Sequence, residues 1–243
     1  GKLGSKRHVN LPGVRVDLPS ITKKDRKDIN LAIKNNISFI ALSFVRSAQD
    51  IHELRAILKK NKSSAKIIAK IENQEGLDNI HEITKATDIV MVARGDLGIE
   101  TDLADLPNIQ RRIMYATAKW GKRSIVATHL LESMIVNPTP TRAEVTDVAN
   151  AIYEGADAVM LSGETSVGKY PVQCIKMLKK IAAKTENFRT LGYEEFLSDK
   201  SDWQNIAIGA RDLASRIDAD GIVVVTRSGQ TADVISSTKP FRM

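Results

Sequence analysis

The sequence predicts an α/β protein in which parallel β-strands alternate with covering helices. Short apolar runs rich in β-branched residues alternate along the chain with longer segments of helical period. Hydrophobic residues make up 42% and charged residues 27% of the 243 residues, as in ordinary folded, water-soluble proteins. A helix between successive strands returns the chain to the same end of the sheet, so we expect the strands to be parallel.

Strand-like runs and amphipathic helical segments account for most of the chain. The runs occupy residues 38–44, 66–71, 88–92, 124–128, 158–162 and 221–226. The helical segments occupy residues 22–35, 48–60, 76–86, 106–120, 142–154 and 171–185. Each helical segment lies beside a run in the sequence, as expected for helices that cover a sheet.

The number of β/α units distinguishes two architectures. Five units fill residues 18–187, whereas a closed eight-unit barrel needs about 250 residues. An open doubly wound sheet is the alternative, but no glycine-rich dinucleotide-binding pattern follows an early strand. We therefore predict a portion of a (β/α)8 TIM barrel, about five of its eight units, followed by the start of an α/β C-terminal domain.

The spacing of the runs also predicts how the chain is divided. Residues 188–215 lack the strand pattern and the run at 221–226 resumes it, which places a domain boundary near residue 187. The chain begins with Gly-Lys-Leu-Gly-Ser rather than methionine and ends soon after one β/α unit, so we expect an internal part of a longer protein.

Charge and composition exclude several classes of function. Thirty-six Lys and Arg against 29 Asp and Glu give a net charge of +7, which favours anionic ligands such as phosphates and carboxylates. Nucleic acid is disfavoured, because aromatic residues are only 5% of the chain and the basic residues are spread over helix faces. No apolar run approaches the roughly 20 residues of a membrane span and no signal-peptide pattern opens the chain, so neither membrane insertion nor secretion is expected. Cys174 is the only cysteine, which fits a reducing compartment.

Charged and small residues follow the second and third runs, where active sites of parallel β/α proteins lie. Lys70 and Glu72 are two residues apart and project to the same side of a strand. Gly95 and Asp96 follow the third run, and the Asp96 carboxylate could share a divalent cation with Glu72. Carboxylate oxygens suit Mg²⁺ or Mn²⁺, and no His or Cys cluster has the spacing of a zinc site. A structural ion pair and a simple Gly-Asp turn are the alternatives.

Hydroxyl groups follow the fourth and fifth runs. Thr128 and Ser162 could bind a substrate carboxylate or pass a proton through water, and Glu164 could polarise them. Each hydroxyl could instead cap a helix. His129 has no Asp and Ser partners in triad order, so a packed or surface histidine is the better interpretation.

A further candidate site lies late in the chain. Hydroxyls, a cation and free backbone N–H groups follow the run at 221–226 and open a helical stretch, which is typical of a phosphate-binding turn. The residues are Thr226, Arg227, Ser228, Gly229 and Thr231. An ordinary strand-to-helix turn with a serine cap is the alternative.

Five segments, in the correct order, resemble the motifs of the pyruvate kinase family. They read IIAKIENQEG at 67–76, MVARGDLGIE at 91–100, ATHLLESM at 127–134, PTRAEVTDVAN at 140–150 and MLSGET at 160–165. VNLPG at 9–13 and VDLP at 16–19 resemble the exit from that family's lid domain. The resemblance therefore implies three parts: the end of the lid domain at residues 1–17, part of the catalytic barrel at 18–187 and the start of the effector domain at 188–243.

The resemblance implies phosphoryl transfer from phosphoenolpyruvate to ADP, followed by protonation of the enolate to pyruvate. By similarity, Lys70 stabilises the phosphoryl group, Glu72 and Asp96 bind Mg²⁺, and Thr128 holds the substrate carboxylate with the N–H groups of Gly95 and Asp96.

Ser162 and Glu164 would belong to the water-linked proton path. Arg7 would contact the nucleotide, and the turn at 226–231 would bind a sugar-phosphate effector.

The resemblance further implies a cytoplasmic, allosteric homotetramer that uses potassium, with the K⁺ ligands outside this chain. His129 and Leu130 stand where the family usually has Gln and Met, and Arg7 and His8 where it often has Lys and Gly. Because part of the family's nucleotide site would precede Gly1, we expect little kinase activity from the chain alone. A Mg²⁺-dependent aldolase or lyase acting on pyruvate enolate, and a non-catalytic phosphometabolite-binding module, are the alternative functions.

Overall fold

The structure, a computed structural model, describes residues 19–188, 190–197 and 202–240. Its centre is a five-stranded sheet in which every pair of neighbours is parallel and the spatial order is β1-β2-β3-β4-β5. The strands are β1 (Phe39–Leu42), β2 (Lys66–Ile71), β3 (Ile89–Ala93), β4 (Arg123–Ala127) and β5 (Ala158–Met160). A doubly wound sheet reverses its strand order at a switch point, whereas this order follows the chain, as in the wall of a barrel. The predicted partial TIM-barrel fold is confirmed.

The helices cover the sheet in the order predicted. The α-helices are α1 (Lys23–Lys34), α2 (Ala48–Lys60), α3 (Gln74–Asp78), α4 (Ile80–Ala86), α5 (Arg94–Glu100), α6 (Leu106–Lys119), α7 (Arg142–Tyr153), α8 (Gly163–Ser166), α9 (Pro171–Thr185), α10 (Asp202–Arg216) and α11 (Gln230–Ser237). Short 3-10 helices span Leu103–Asp105, Glu132–Ile135 and Tyr193–Phe196. Within the described residues, no helix is both long and apolar enough to cross a membrane.

Local sequence explains where these helices begin and break. Thr22 and Thr141 form capping boxes with the acidic residues three positions later, at the starts of α1 and α7. The helix predicted at 76–86 is instead divided into α3 and α4 at Asn79, whose side-chain amide donates to the Arg46 carbonyl at 2.8 Å. Asn favours such local breaks because its side chain competes for backbone partners.

The core lies between the sheet and the helices. Ile67, Ile71 and Val126 on the middle strands are fully buried, as expected for strands covered on both faces. The outer strands differ, because Phe39 on β1 is 50% exposed and Met160 on β5 is 37% exposed. The sheet therefore has two edges, and its apolar surface is least covered there.

The prediction of a strand at residues 221–226 is wrong. This segment forms no strand, and the side chains of Val223 and Val225 are each 95% exposed. A strand needs a neighbour for its backbone N–H and C=O groups, and none of the five described strands pairs with this segment. Apolar, β-branched composition therefore does not by itself establish a strand, because it carries no information on a pairing partner.

The predicted helical stretch after this segment does form, as α11, and it packs near the amino-terminal ends of the strands. Asp233 on α11 lies 3.6 Å from the Lys66 ammonium and 3.7 Å from the Arg123 guanidinium, at the first residues of β2 and β4. Lys239 reaches Asp157, just before β5, at 3.0 Å. The predicted catalytic residues lie at the carboxyl ends of the strands, on the opposite side of the sheet from α11.

Candidate functional site

The site begins where β2 ends. The Lys70 ammonium lies 2.6 Å from Glu72 Oε1, so the two charges predicted to share one side form an ion pair. The Glu72 side chain is only 1% exposed, while Lys70 keeps 25% of its side-chain surface in solvent. The pair therefore presents a cation to solvent at the carboxyl ends of the strands and holds a buried carboxylate beneath it.

Residues from the end of β1 complete this part of the site, and the sequence analysis missed them. Ser43 Oγ accepts a hydrogen bond from Lys70 Nζ at 3.1 Å, and the Phe44 N–H donates to Glu72 Oε2 at 2.6 Å. The signal was available, because Ser43 is the first residue after β1 and the same strand-end rule applies to it.

The electrostatics of Glu72 favour a cation. Burial raises the pKa of Glu72 and the charge of Asp96 raises it further, although Lys70 and the Phe44 N–H act in the opposite direction. Two carboxylates that repel each other are the donor set that a divalent cation stabilises.

Hard oxygen donors from Glu72 and Asp96 thus fit Mg²⁺ or Mn²⁺ chemically. Within the described ranges no three His, Cys, Asp or Glu side chains converge on one point, so water and substrate oxygens would supply the other ligands. Such incomplete protein coordination is usual for Mg²⁺ that handles phosphates.

Close packing brings α5 against the end of β4. A Cβ atom added to Gly95 would lie 2.9 Å from Thr128 Cγ2, nearer than real Cβ contacts allow. Gly95 is therefore required by the close approach. Asp96, the next residue, lies in the first turn of α5.

The backbone at the end of β4 is strained. Thr128 and His129 have φ angles of 77° and 54°, in the left-handed region that residues other than glycine seldom enter, and β-branched residues such as Thr128 least of all. Each such residue costs about 1–3 kcal/mol and persists only where its surroundings hold it. His129 is exposed, which agrees with its interpretation as a surface histidine.

Ser162 and Glu164 lie at the end of β5. The Ser162 side chain makes no capping hydrogen bond to α8, so its hydroxyl is not used as a helix cap. Glu164 is fully buried and accepts hydrogen bonds from the Leu131 N–H at 3.0 Å and the Ser162 N–H at 2.8 Å. Its carboxylate therefore joins the loops after β4 and β5.

The remaining predicted site residues lie elsewhere. Arg7 lies outside the described residues. In the turn at 226–231, Thr226 Oγ1 accepts from the Gly229 N–H at 3.1 Å and Ser228 Oγ accepts from the Gln230 N–H at 3.4 Å. This turn leads into α11, which docks at the amino-terminal ends of the strands, so it belongs to a different region from Lys70 and Thr128.

Comparisons with known proteins agree with the motifs. The family model "Pyruvate kinase, barrel domain" matches residues 1–175. Pyruvate kinases of Staphylococcus aureus strains MRSA252 and USA300 are each 46% identical over 246 residues, covering 99% of this chain and 42% of those proteins. The crystal structure of a pyruvate kinase from Cryptosporidium parvum superposes with a TM-score of 0.91 at 39% identity, covering 96% of this chain and 50% of that one. The chain spans less than half the length of these curated relatives, and it belongs to the pyruvate kinase family.

Proposed function

We propose that this chain carries the central part of a site for phosphoryl transfer from phosphoenolpyruvate to ADP, giving pyruvate and ATP, as in glycolysis. The observation that supports this most strongly is the placement of Lys70, Glu72, Asp96 and Thr128 at the carboxyl ends of three neighbouring strands. Membership of the pyruvate kinase family supports a phosphotransferase over the alternative functions.

In this mechanism the bond between phosphorus and the enol oxygen breaks while phosphorus bonds to a terminal oxygen of ADP. The Lys70 ammonium, partly exposed and anchored by Ser43 and Glu72, stabilises the negative charge of the phosphoryl group in transit. Mg²⁺ held by Glu72 and Asp96 would supply further positive charge at the phosphoryl and enolate oxygens.

The carboxylate of the substrate is held on the other side of the site. We expect the backbone N–H groups of Gly95 and Asp96 and the Thr128 hydroxyl to bind it, and the close packing of Gly95 against the Thr128 side chain supports this. Fixing the carboxylate orients the enol oxygen toward Lys70.

Transfer leaves an enolate, which must take one proton at its methylene carbon to become pyruvate. We expect Ser162 to pass that proton through water, and the observation that its hydroxyl is not used as a helix cap supports this role. Glu164 fixes the backbone of Ser162 and so positions this group.

The other properties of the family are proposals for this protein. They are a K⁺ requirement, nucleotide contact by Arg7, binding of a sugar phosphate at Thr226, Arg227, Ser228, Gly229 and Thr231, assembly as an allosteric homotetramer, and a cytoplasmic location.

Lys70 distinguishes the kinase from a lyase, because phosphoryl transfer needs this cation while enolate chemistry depends mainly on the metal. We expect Lys70→Gln to lower phosphoryl transfer by about a hundredfold to a thousandfold in the whole protein, the usual effect of removing a charge-stabilising group. ³¹P NMR of phosphoenolpyruvate, ADP and Mg²⁺ measures the rate directly.

Lys66→Gln is the matched control, since Lys66 starts the same strand and pairs with the exposed Asp233. Equal rates for the Lys70 and Lys66 variants would contradict the proposed role. Transfer by neither variant nor the unaltered protein would favour the binding-module alternative.

A further inference from the structure

Arg94 takes no part in the mechanism above, yet it is a buried cation beside the site. It follows β3 directly and is 8% exposed. Buried arginines are rare unless their charge and their N–H groups are matched. Arg94 is matched by groups from three other segments, which are helix α6, the end of β4 with the residue that follows it, and helix α7.

The guanidinium group holds the backbone on both sides of Thr128. Nη2 donates to the Thr128 carbonyl at 2.6 Å, and Nε donates to the Thr128 carbonyl at 3.1 Å and to the Ala127 carbonyl at 3.3 Å. These two oxygens belong to the peptide planes before and after Thr128, and the rotation of those planes defines its φ and ψ. One rigid, planar group therefore fixes both angles at the strained residue.

The guanidinium is itself oriented by α7. Nη1 lies 2.7 Å from Asp147 Oδ1 and 3.4 Å from Gln110 Oε1 on α6. The carboxylate balances the arginine's charge, so the donors facing Thr128 stay aligned without leaving an unpaired ion in the core.

We propose that Arg94 is a positioning residue for substrate binding. It holds Thr128 in the left-handed conformation and so keeps the Thr128 side chain packed against Gly95 through its methyl group, which sets where the hydroxyl lies. The inference rests on the proposed function, in which this hydroxyl binds the substrate carboxylate. Lysine cannot replace it, because an ammonium is a point charge that cannot span two carbonyls and a carboxylate in one plane.

The test compares Arg94→Lys with Arg55→Lys in the full chain. Arg55 is a matched control, since it also joins a carboxylate (Asp88, 2.8 Å) to a backbone carbonyl (Ala86, 2.8 Å), near the opposite end of β3. Two quantities are measured in each variant: the ¹³C backbone shifts of Thr128, which report its φ and ψ, and the dissociation constant of pyruvate with Mg²⁺.

We expect Arg94→Lys to move the Thr128 shifts away from left-handed values and to weaken pyruvate binding about tenfold, the usual effect of losing charge-assisted hydrogen bonds. Arg55→Lys should change neither quantity. If Arg94→Lys does not fold, Asp147→Asn keeps the arginine but loosens its orientation and should weaken binding by a smaller factor with the same change in shifts.

Unchanged Thr128 shifts in Arg94→Lys, or in Asp147→Asn where only that variant folds, would overturn the inference. If the unaltered chain fails to bind pyruvate, the proposed function fails, and the shifts alone then decide whether Arg94 holds Thr128. Equal losses of pyruvate affinity in the Arg94 and Arg55 variants would also overturn the inference, because they would indicate a general loss of structure.

Discussion

Glu144, at the start of α7, is a carboxylate that accepts hydrogen bonds from several donors, and these bonds make the stability of the fold depend on pH. Ser133 donates its N–H at 2.6 Å and its hydroxyl at 2.5 Å, and Thr141 donates its N–H at 2.7 Å and its hydroxyl at 2.9 Å. Burial acts to raise the pKa of Glu144, but these hydrogen bonds outweigh it and hold the pKa below the usual 4.5.

A lowered pKa in the folded state makes the stabilisation depend on pH. It is fully present above the unfolded-state pKa, and it is lost as pH falls through the lower folded-state pKa. We expect Glu144→Gln to lower the free energy of unfolding by about 1 kcal/mol at pH 7, the usual value of a helix cap. The difference between the two proteins should shrink below pH 4.5. Urea unfolding from pH 7 down to acidic pH measures it, and a difference that grows on acidification would contradict this account.

At the level of residues, the strand-end rule predicted which polar side chains lie at the carboxyl ends of the strands, but it did not predict their long-range contacts. Lys70, Glu72, Asp96 and Thr128 could be chosen from sequence because polar side chains at the ends of apolar runs are conspicuous. Arg94 was not chosen, although its motif was noted. Its partners lie 34 and 53 residues away, and no local pattern reports such distances.

Helix α5 is the element whose placement matters most for the site. The Gly95→Ala change puts a Cβ against Thr128 Cγ2 at 2.9 Å, so the helix must move away from the end of β4. A shift of about 1 Å can lower a rate on the order of a hundredfold. We expect Gly95→Ala to lower the rate of enolate formation from pyruvate to that degree while leaving the free energy of unfolding near its original value.

Gly98→Ala supplies the control in the same helix. Its added Cβ would meet Leu103 Cδ1 at 3.5 Å, which is ordinary contact, and alanine favours helix at both positions. Hydrogen exchange at the methyl group of pyruvate, followed by NMR, measures the rate. Equal rates for the two variants would show that the contact between α5 and Thr128 does not shape the site.

Helices and strands were predictable where local sequence stabilises them, or where the strands that pair in the sheet are also consecutive in the sequence. β2 and α2 were predicted with their observed bounds, because the apolar period and the flanking residues agree. The segment at 221–226 has the composition of a strand, but pairing is a property of two segments and composition reports only one.

For the molecule as a whole, the outer strands β1 and β5 leave backbone hydrogen-bonding groups without a neighbouring strand in the described sheet. Phe39 on the edge strand β1 is 50% exposed, and unpaired strand edges promote association. We expect the chain as it stands to self-associate with rising concentration and Phe39→Lys to reduce this, because a charged edge residue opposes strand pairing.

Sedimentation velocity over a range of concentrations measures this association. Phe188→Lys is the control, since Phe188 is 63% exposed but lies outside the strands. Association that Phe188→Lys reduces as much as Phe39→Lys would point to general hydrophobic contact rather than to the sheet edge.

We propose that strand ends within this chain form a site for the enolate of pyruvate around a divalent cation. Exchange of the methyl protons of pyruvate in heavy water with Mg²⁺ tests it most directly, since this half-reaction needs no ADP. Glu72→Gln is compared with Glu154→Gln, because both carboxylates are buried, at 1% and 3% exposure, and only Glu72 is at the site. We expect exchange that is lost in Glu72→Gln and kept in Glu154→Gln. A folded chain that shows no exchange, or exchange that survives Glu72→Gln, would mean that these strand ends do not form the site.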